Sequence, residues 1–419
     1  MNKALWSLLS VMVALAVVGS SRGGSSPSNP WTLTNLVRVA RNRYHAYVGI
    51  QTIGLSDSGA VYWTAYRQYS DGTRLEVFRW RNGDTADLGS PGPGLVVTGV
   101  NDREQFVVDT ALRPTPTGPL ERVRTPKQPP ERAYLWARRK LAALGSLGGD
   151  TVAVAINDRG QIVGSSAIRN GSNAPRHAFL WQNGTMTDLG TLGGRYSESM
   201  AINGEGQVIG TSATGSRHFH GFIWQHGKMA DLGTLGGATT TPVAINDRGE
   251  VIGQSTTPRG TTNHFSGDAF LWQKGKMVEL GAVDLRGYPG RPWRNEAMAI
   301  NEQGDIVGVS KTTVGAGRAF LWRDGNLTDL GTLGGRSSAA TAIDDRGDVV
   351  GQSDTRLVPW TAEQAPRPRP VFWSDGSKIE LSVDYPSPSG ATAITPDGTE
   401  ILGRGGSPPH QALVWTRRS

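Results

Sequence analysis

Trp80, Trp136, Trp181, Trp224, Trp272, Trp322, Trp373 and Trp415 close one short pattern that the chain repeats eight times. The spacing averages about 48 residues, which matches a propeller blade and exceeds the period of most helical repeats. The clearest copy reads Ala-Ile-Asn-Asp-Arg-Gly-Gln-Ile-Val-Gly from Ala155 to Gly164 and Ala-Phe-Leu-Trp from Ala178 to Trp181, then Asp-Leu-Gly-Thr-Leu-Gly-Gly from Asp188 to Gly194. One such unit cannot bury its own apolar face, so neighbouring units must stack to make a core.

Each unit holds four short strand candidates and no sustained helical period. Ser199 to Ile202 is a small-residue first strand and Gln207 to Gly210 a β-branched second. Between them Asn203-Gly204-Glu205-Gly206 has hairpin chemistry, because Asn bonds nearby backbone N–H groups and Gly accepts positive φ. The third strand carries Phe-Leu-Trp or a variant. The fourth leads through Asp-Leu-Gly into Leu-Gly-Gly, which lets the backbone cross to the next unit. Open strand arrays expose edges, and radial closure removes most of that hazard. The expected fold is therefore an all-β β-propeller of about eight four-stranded blades over residues 31–419. Seven blades is the alternative if the divergent unit around Tyr134-Leu135-Trp136 is incomplete. The eighth unit ends on its third strand, and Trp31 to Leu36 resembles a lone fourth strand, so this N-terminal segment is expected to complete the last blade.

At these residues the chain resembles the HAF-repeat family of predicted extracellular proteins, named for a His-Ala-Phe triplet intact here as His177-Ala178-Phe179. The triplet is altered at His220-Gly221-Phe222, Asp268-Ala269-Phe270 and Arg318-Ala319-Phe320. Asp-Leu-Gly-Thr-Leu-Gly-Gly recurs at Asp188, Asp231 and Asp329. The resemblance implies an exported repeat protein of undefined biochemical role and brings no catalytic residues with it.

Residues 1–21 have the basic start, apolar core and small-residue end of a secretory signal peptide, and the core of about 15 residues is short for a membrane span. Residues 22–30, rich in Gly, Ser and Pro, read as a flexible spacer. A soluble, monomeric protein, secreted or periplasmic, is expected. The chain has no Cys, which excludes disulfides, thiolate metal sites and lipid-modified cysteine. A formal charge of +7 favours anionic extracellular partners, either polysaccharide or protein, and no motif points to nucleic acid.

The connections between second and third strands are the variable ones, and they hold the candidate ligand-binding residues Arg113, Arg122, Arg124, Lys127, Arg132, Arg176, Arg217, His218, His220 and Trp360. Loops on a rigid scaffold are common binding sites. His218 and His220 alternate along an extended stretch but lack a third ligand at a metal-site spacing, so no metal is expected there. Asp102, Asp158, Asp247 and Asp345 recur in four-residue loops that individually offer too few oxygens for calcium, and a turn role is expected. Glu198 and Glu296, at matching positions of two units, are weak catalytic candidates as paired carboxylates for glycoside hydrolysis. No phosphate loop, His-Glu-x-x-His or Gly-x-Ser-x-Gly is present, and no cofactor is expected. The reading is a binding or scaffold module, with a polysaccharide-active hydrolase or lyase as the alternative.

Overall fold

The computed structural model describes residues 30–36, 38–39, 47–69, 72–110, 132–171, 173–216, 218–258, 267–283, 292–312, 316–355, 368–381, 383, 389–405 and 411–418. Among them, thirty-two strands form eight antiparallel four-stranded sheets that follow one another around a ring. Blade 1 spans Tyr47–Gly89, blade 2 Leu95–Ala143, blade 3 Thr151–Asp188 and blade 4 Gly193–Asp231. Blade 5 spans Thr240–Glu279, blade 6 Pro292–Asp329 and blade 7 Ser338–Glu380. Blade 8 takes Ser389–Ile394, Glu400–Gly405 and Gln411–Arg417 from one end of the chain and its outer strand, Trp31–Asn35, from the other. The divergent second unit is a full blade, which fixes the number at eight and sets aside the seven-blade alternative. The expected signal segment and the spacer up to residue 29 lie outside the described residues.

Strand alternation explains why the Phe-Leu-Trp triplet recurs. Successive side chains point to opposite faces of a sheet, so Phe179 and Trp181 pack back onto Val107 and Ala133 of blade 2, while Leu180 packs forward with Val208 and Phe222 of blade 4. Each of the eight blade-to-blade junctions has one apolar cluster of this kind. The second-strand glycine follows from the same packing. A Cβ on Gly210 would lie 2.8 Å from the Phe222 ring and would collide with the Glu198 carbonyl, which a bulge in the first strand pushes towards it.

The hairpin asparagines do more than turn the chain. Asn203 Oδ1 accepts the Gln207 N–H at 2.8 Å, and its Nδ2 donates to Gln207 Oε1 at 2.7 Å and to the Asn246 carbonyl of the next blade at 2.9 Å. The inter-blade bond recurs from Asn101 to Asn157, Asn157 to Asn203, Asn246 to Asn301 and Asn301 to Asp344, all between 2.9 and 3.0 Å. These side chains are buried, so each amide must find its partners within the protein. The ladder ends at Asp344, whose carboxylate has no N–H to pass on.

Asn203→Ala removes the link and leaves a buried carbonyl short of its partner. A loss of about 2–4 kcal/mol is expected by denaturant titration. Asn170→Ala, at an exposed position, should stay within about 0.5 kcal/mol of wild type. An equal effect at both positions would show that the ladder contributes little.

Candidate functional site

The antiparallel meander puts first-to-second and third-to-fourth turns on one face of the ring. On this hairpin face the acid that follows the hairpin Asn or Asp reaches, in four blades, towards the preceding one. Asp158 Oδ1 accepts the Asp102 N–H at 2.8 Å, Asp247 Oδ1 the Gly204 N–H at 2.7 Å, Glu302 Oε1 the Asp247 N–H at 2.9 Å and Asp345 Oδ1 the Glu302 N–H at 3.1 Å. The expected turn role of these acids is thus extended to the neighbouring blade.

The same arrangement gathers negative charge. Asp57, Asp102 and Asp158, from blades 1, 2 and 3, bring carboxylate oxygens within 4.8 Å of one another. Desolvation and then the charges of Asp102, Asp158, Asp345 and Asp247 push the Asp57 pKa up. Glu302 is also raised, by desolvation above all and further by Asp247 and Asp345. Asp57, Asp102 and Asp158 are the residues able to hold a divalent cation, although calcium takes 6–8 oxygens and water would have to supply several. Counting oxygens loop by loop in the sequence misses this group, because its members come from different blades.

The opposite face carries the blade crossovers and the second-to-third connections, and the two interlock. Leu192 N–H donates to Ser212 Oγ, Leu235 to Ser255 and Leu333 to Ser353, each at 2.8 Å. Thr191, Thr234 and Thr332 close the Thr-Leu-Gly-Gly turn by donating to the second Gly carbonyl. At Gly194 a Cβ would meet the Ala213 Cβ at 2.5 Å, so the crossover can lie against its own blade only with glycine there. The repeated Thr, Ser and Gly residues are therefore structural.

Arg113, Arg122, Arg124, Lys127, Arg217 and Trp360 lie outside the described residues. Arg132 is exposed at the end of its connection, where its carbonyl accepts the Thr110 N–H. Arg176 folds back onto blade 3, with Nη2 donating to the Ser165 carbonyl at 3.1 Å. His218 is exposed, whereas His220 Nδ1 lies 2.8 Å from Asp231 Oδ2. His177 with Asp188, and Arg318 with Asp329, occupy the same place in blades 3 and 6. His220 thus belongs to a repeated strand-three to strand-four tie. The His-Ala-Phe and Asp-Leu-Gly motifs meet there, and the 11-residue spacing of the paired residues was the available sequence signal.

Glu198 and Glu296 lie on the first strands of blades 4 and 6, with blade 5 between them. Glu296 Oε2 accepts Lys311 Nζ at 2.6 Å, an ion pair within its own blade. Sequence reasoning also passed over Arg195 and Tyr196, which sit directly after Gly194 near the start of the first strand of blade 4 and are both exposed.

No family model and no curated protein matches the chain. Among solved structures it is similar to a puromycin-hydrolyzing peptidase of Mycobacterium tuberculosis, at 15% identity and a TM-score of 0.45, covering 91% of this chain and 61% of that one. An acylaminoacyl peptidase of Pyrococcus horikoshii matches at 9% identity and a TM-score of 0.43, covering 82% of this chain and 53% of that one. The WD40 domain of SCAP from fission yeast matches at 9% identity and a TM-score of 0.41, covering 93% and 99%. The chain spans little more than half the length of the two peptidases. The propeller assignment rests on the strand pairing above, and these likenesses bear on no residue of the site.

Two acids give pH and salt signatures. Glu400, 3% exposed at the junction of blades 8 and 1, accepts Thr416 Oγ1 at 2.8 Å. Burial, opposed by that bond and aided by Asp397, pushes its pKa from 4.5 up to about 7. A raised acid binds its proton more tightly when folded, so its contribution is full below about 4.5 and is lost as pH rises through 7. Between pH 5 and 8 the wild type should lose on the order of 3 kcal/mol at this group. Glu400→Gln should flatten that part of the stability profile, and an unchanged slope would contradict the assignment. Asp57→Asn should raise the melting temperature at low ionic strength, with the gain shrinking in salt as screening takes over.

Proposed function

We propose that the chain is an exported propeller, secreted or periplasmic, that serves as a binding or scaffold module for an extracellular polymer or protein, with anionic partners favoured. The observation that carries this reading is the difference between the two faces. On the hairpin face the repeated polar residues recur in the same bonds from blade to blade. On the opposite face the connections range from Tyr69 to Gly72 in blade 1 to Thr110 to Ala133 in blade 2. Unequal loops on a rigid ring are suited to recognition, because they vary without disturbing the scaffold. Arg132, Arg169, Arg195 and Arg336 are exposed along this face. The resemblance to exported repeat proteins agrees with the proposed location.

The test is retention of the purified protein on a panel of neutral and acidic polysaccharides at low and high salt, with released fragments read in parallel. Salt-sensitive retention without fragments is expected. Replacing residues 111–131 by a short Gly-Ser link should weaken retention about tenfold, or about 1.4 kcal/mol. Fragment release stopped by Glu198→Gln or Glu296→Gln would overturn the binding reading in favour of a hydrolase or lyase.

A further inference from the structure

An eightfold repeat supplies its own control: a residue that departs from its counterparts in other blades, at an exposed place, is not explained by the scaffold. Blade 4 has two such departures on one row. Tyr196 immediately precedes Ser197, and its counterparts are Asp150, Thr239 and Ser337 in blades 3, 5 and 7. Phe219 pairs in register with Ala213, and its counterparts are Arg176, Gly267, Gly317 and Pro368 in blades 3, 5, 6 and 7. Tyr196 is 36% and Phe219 43% exposed. Tyr66 of blade 1 is the one other exposed large aromatic among the described residues.

Both rings belong to the same side of the blade. Ser197 Oγ turns towards blade 3, where it accepts the Ala178 N–H at 2.8 Å, so the adjacent Tyr196 faces the other way. Gly221 lies against Thr240 and Pro242 of blade 5, and Phe219, two residues before it, shares that side. One strand separates them, which sets their backbones about 10 Å apart at the usual inter-strand spacing. Arg195 lies with its guanidinium carbon 5.9 Å from the centre of the Tyr196 ring. Among the described residues no carboxylate pairs with it. His218 is exposed beside Phe219.

We propose that Tyr196, Phe219 and Arg195 form a subsite for an acidic polysaccharide bearing carboxylates. The proposal rests on the binding-module reading above and names the ligand class for one part of its face. Each aromatic offers a flat apolar surface to the C–H face of a pyranose ring, and the spacing of their strands suits alternate sugars of one chain. Arg195 supplies the fork of N–H donors that matches a uronate carboxylate. A protein partner is disfavoured here, because a stable protein interface needs about 800 Å² on each side around a buried apolar centre, and two rings and a guanidinium provide only a narrow strip.

The probes are polygalacturonate and its fully methyl-esterified form, read by affinity electrophoresis of the full protein. Wild type should be retarded by polygalacturonate. Tyr196→Ala and Phe219→Ala should each weaken retardation at least tenfold, and the loss should persist at high salt. Arg195→Gln should abolish the preference for the free acid over the ester. Unchanged melting temperatures would show that the ring is intact. Equal retardation of wild type and all three variants overturns the subsite while leaving the wider binding reading in place. Absence of wild-type retardation on polygalacturonate also overturns it; the wider reading is then decided by the other polysaccharides of the panel and by the replacement of residues 111–131, which lie outside blade 4. Retardation lost only with Arg195→Gln would mean a charge patch without stacking and would likewise overturn it.

Discussion

The buried hairpin amide is the interaction on which the ring depends. Apolar packing is non-directional and would let two blades slide, whereas a side-chain N–H that must meet one carbonyl fixes both their spacing and their register. The ladder joins residues between 43 and 56 positions apart in sequence, yet its bonds differ by only 0.1 Å. That constancy explains why insertions are tolerated on the opposite face: the length of a connection does not alter the position of the next hairpin. Where the ladder stops, other contacts take over. Thr341 Oγ1 donates to the Ala391 carbonyl at 2.8 Å, the Asp345 N–H donates to the Pro396 carbonyl at 3.2 Å, and Trp31 meets Phe372 edge to face at 5.1 Å.

A scaffold so thoroughly bonded changes how its polar residues should be read. In an irregular enzyme a buried Asn, a His beside an Asp or a Thr next to glycines would each invite a catalytic reading. Here the recurrence of the same bond in several blades assigns them to architecture, and the unrepeated residues become the informative ones. The acidic group on the hairpin face falls between these categories. Asp158 is held by a backbone N–H from the neighbouring blade, while its meeting with Asp57 and Asp102 follows from radial convergence.

The blade number, the four-strand unit and the use of the N-terminal strand to complete blade 8 were legible because they rest on period, alternation and turn chemistry, all local properties of sequence. The hairpin Asn was legible as a turn residue and illegible as a link, since the link depends on where two hairpins lie around an axis. The convergence of Asp57, Asp102 and Asp158 was hidden for the same reason. The tie between His220 and Asp231 required strand register, although repeated pairs at the same spacing in blades 3 and 6 carried the information. Arg195 and Tyr196 were overlooked because they follow the most regular motif in the chain, where attention to the repeat conceals a departure from it.

The shared last blade makes the order of synthesis matter. Thr32 contacts Arg418 across 386 residues, so the outer strand of blade 8 is made long before its partner. Until the C-terminal strand exists, Trp31 lacks its place beside Trp415, and blade 1 lacks the neighbour that covers Trp63 and Trp80. Until that strand is made the growing chain carries an open edge and an uncovered aromatic surface, a state prone to mispairing. Loss of Gln411–Arg417 would remove the strand through which the ring closes, leaving the rest of the repeat array intact in sequence but without a clasp.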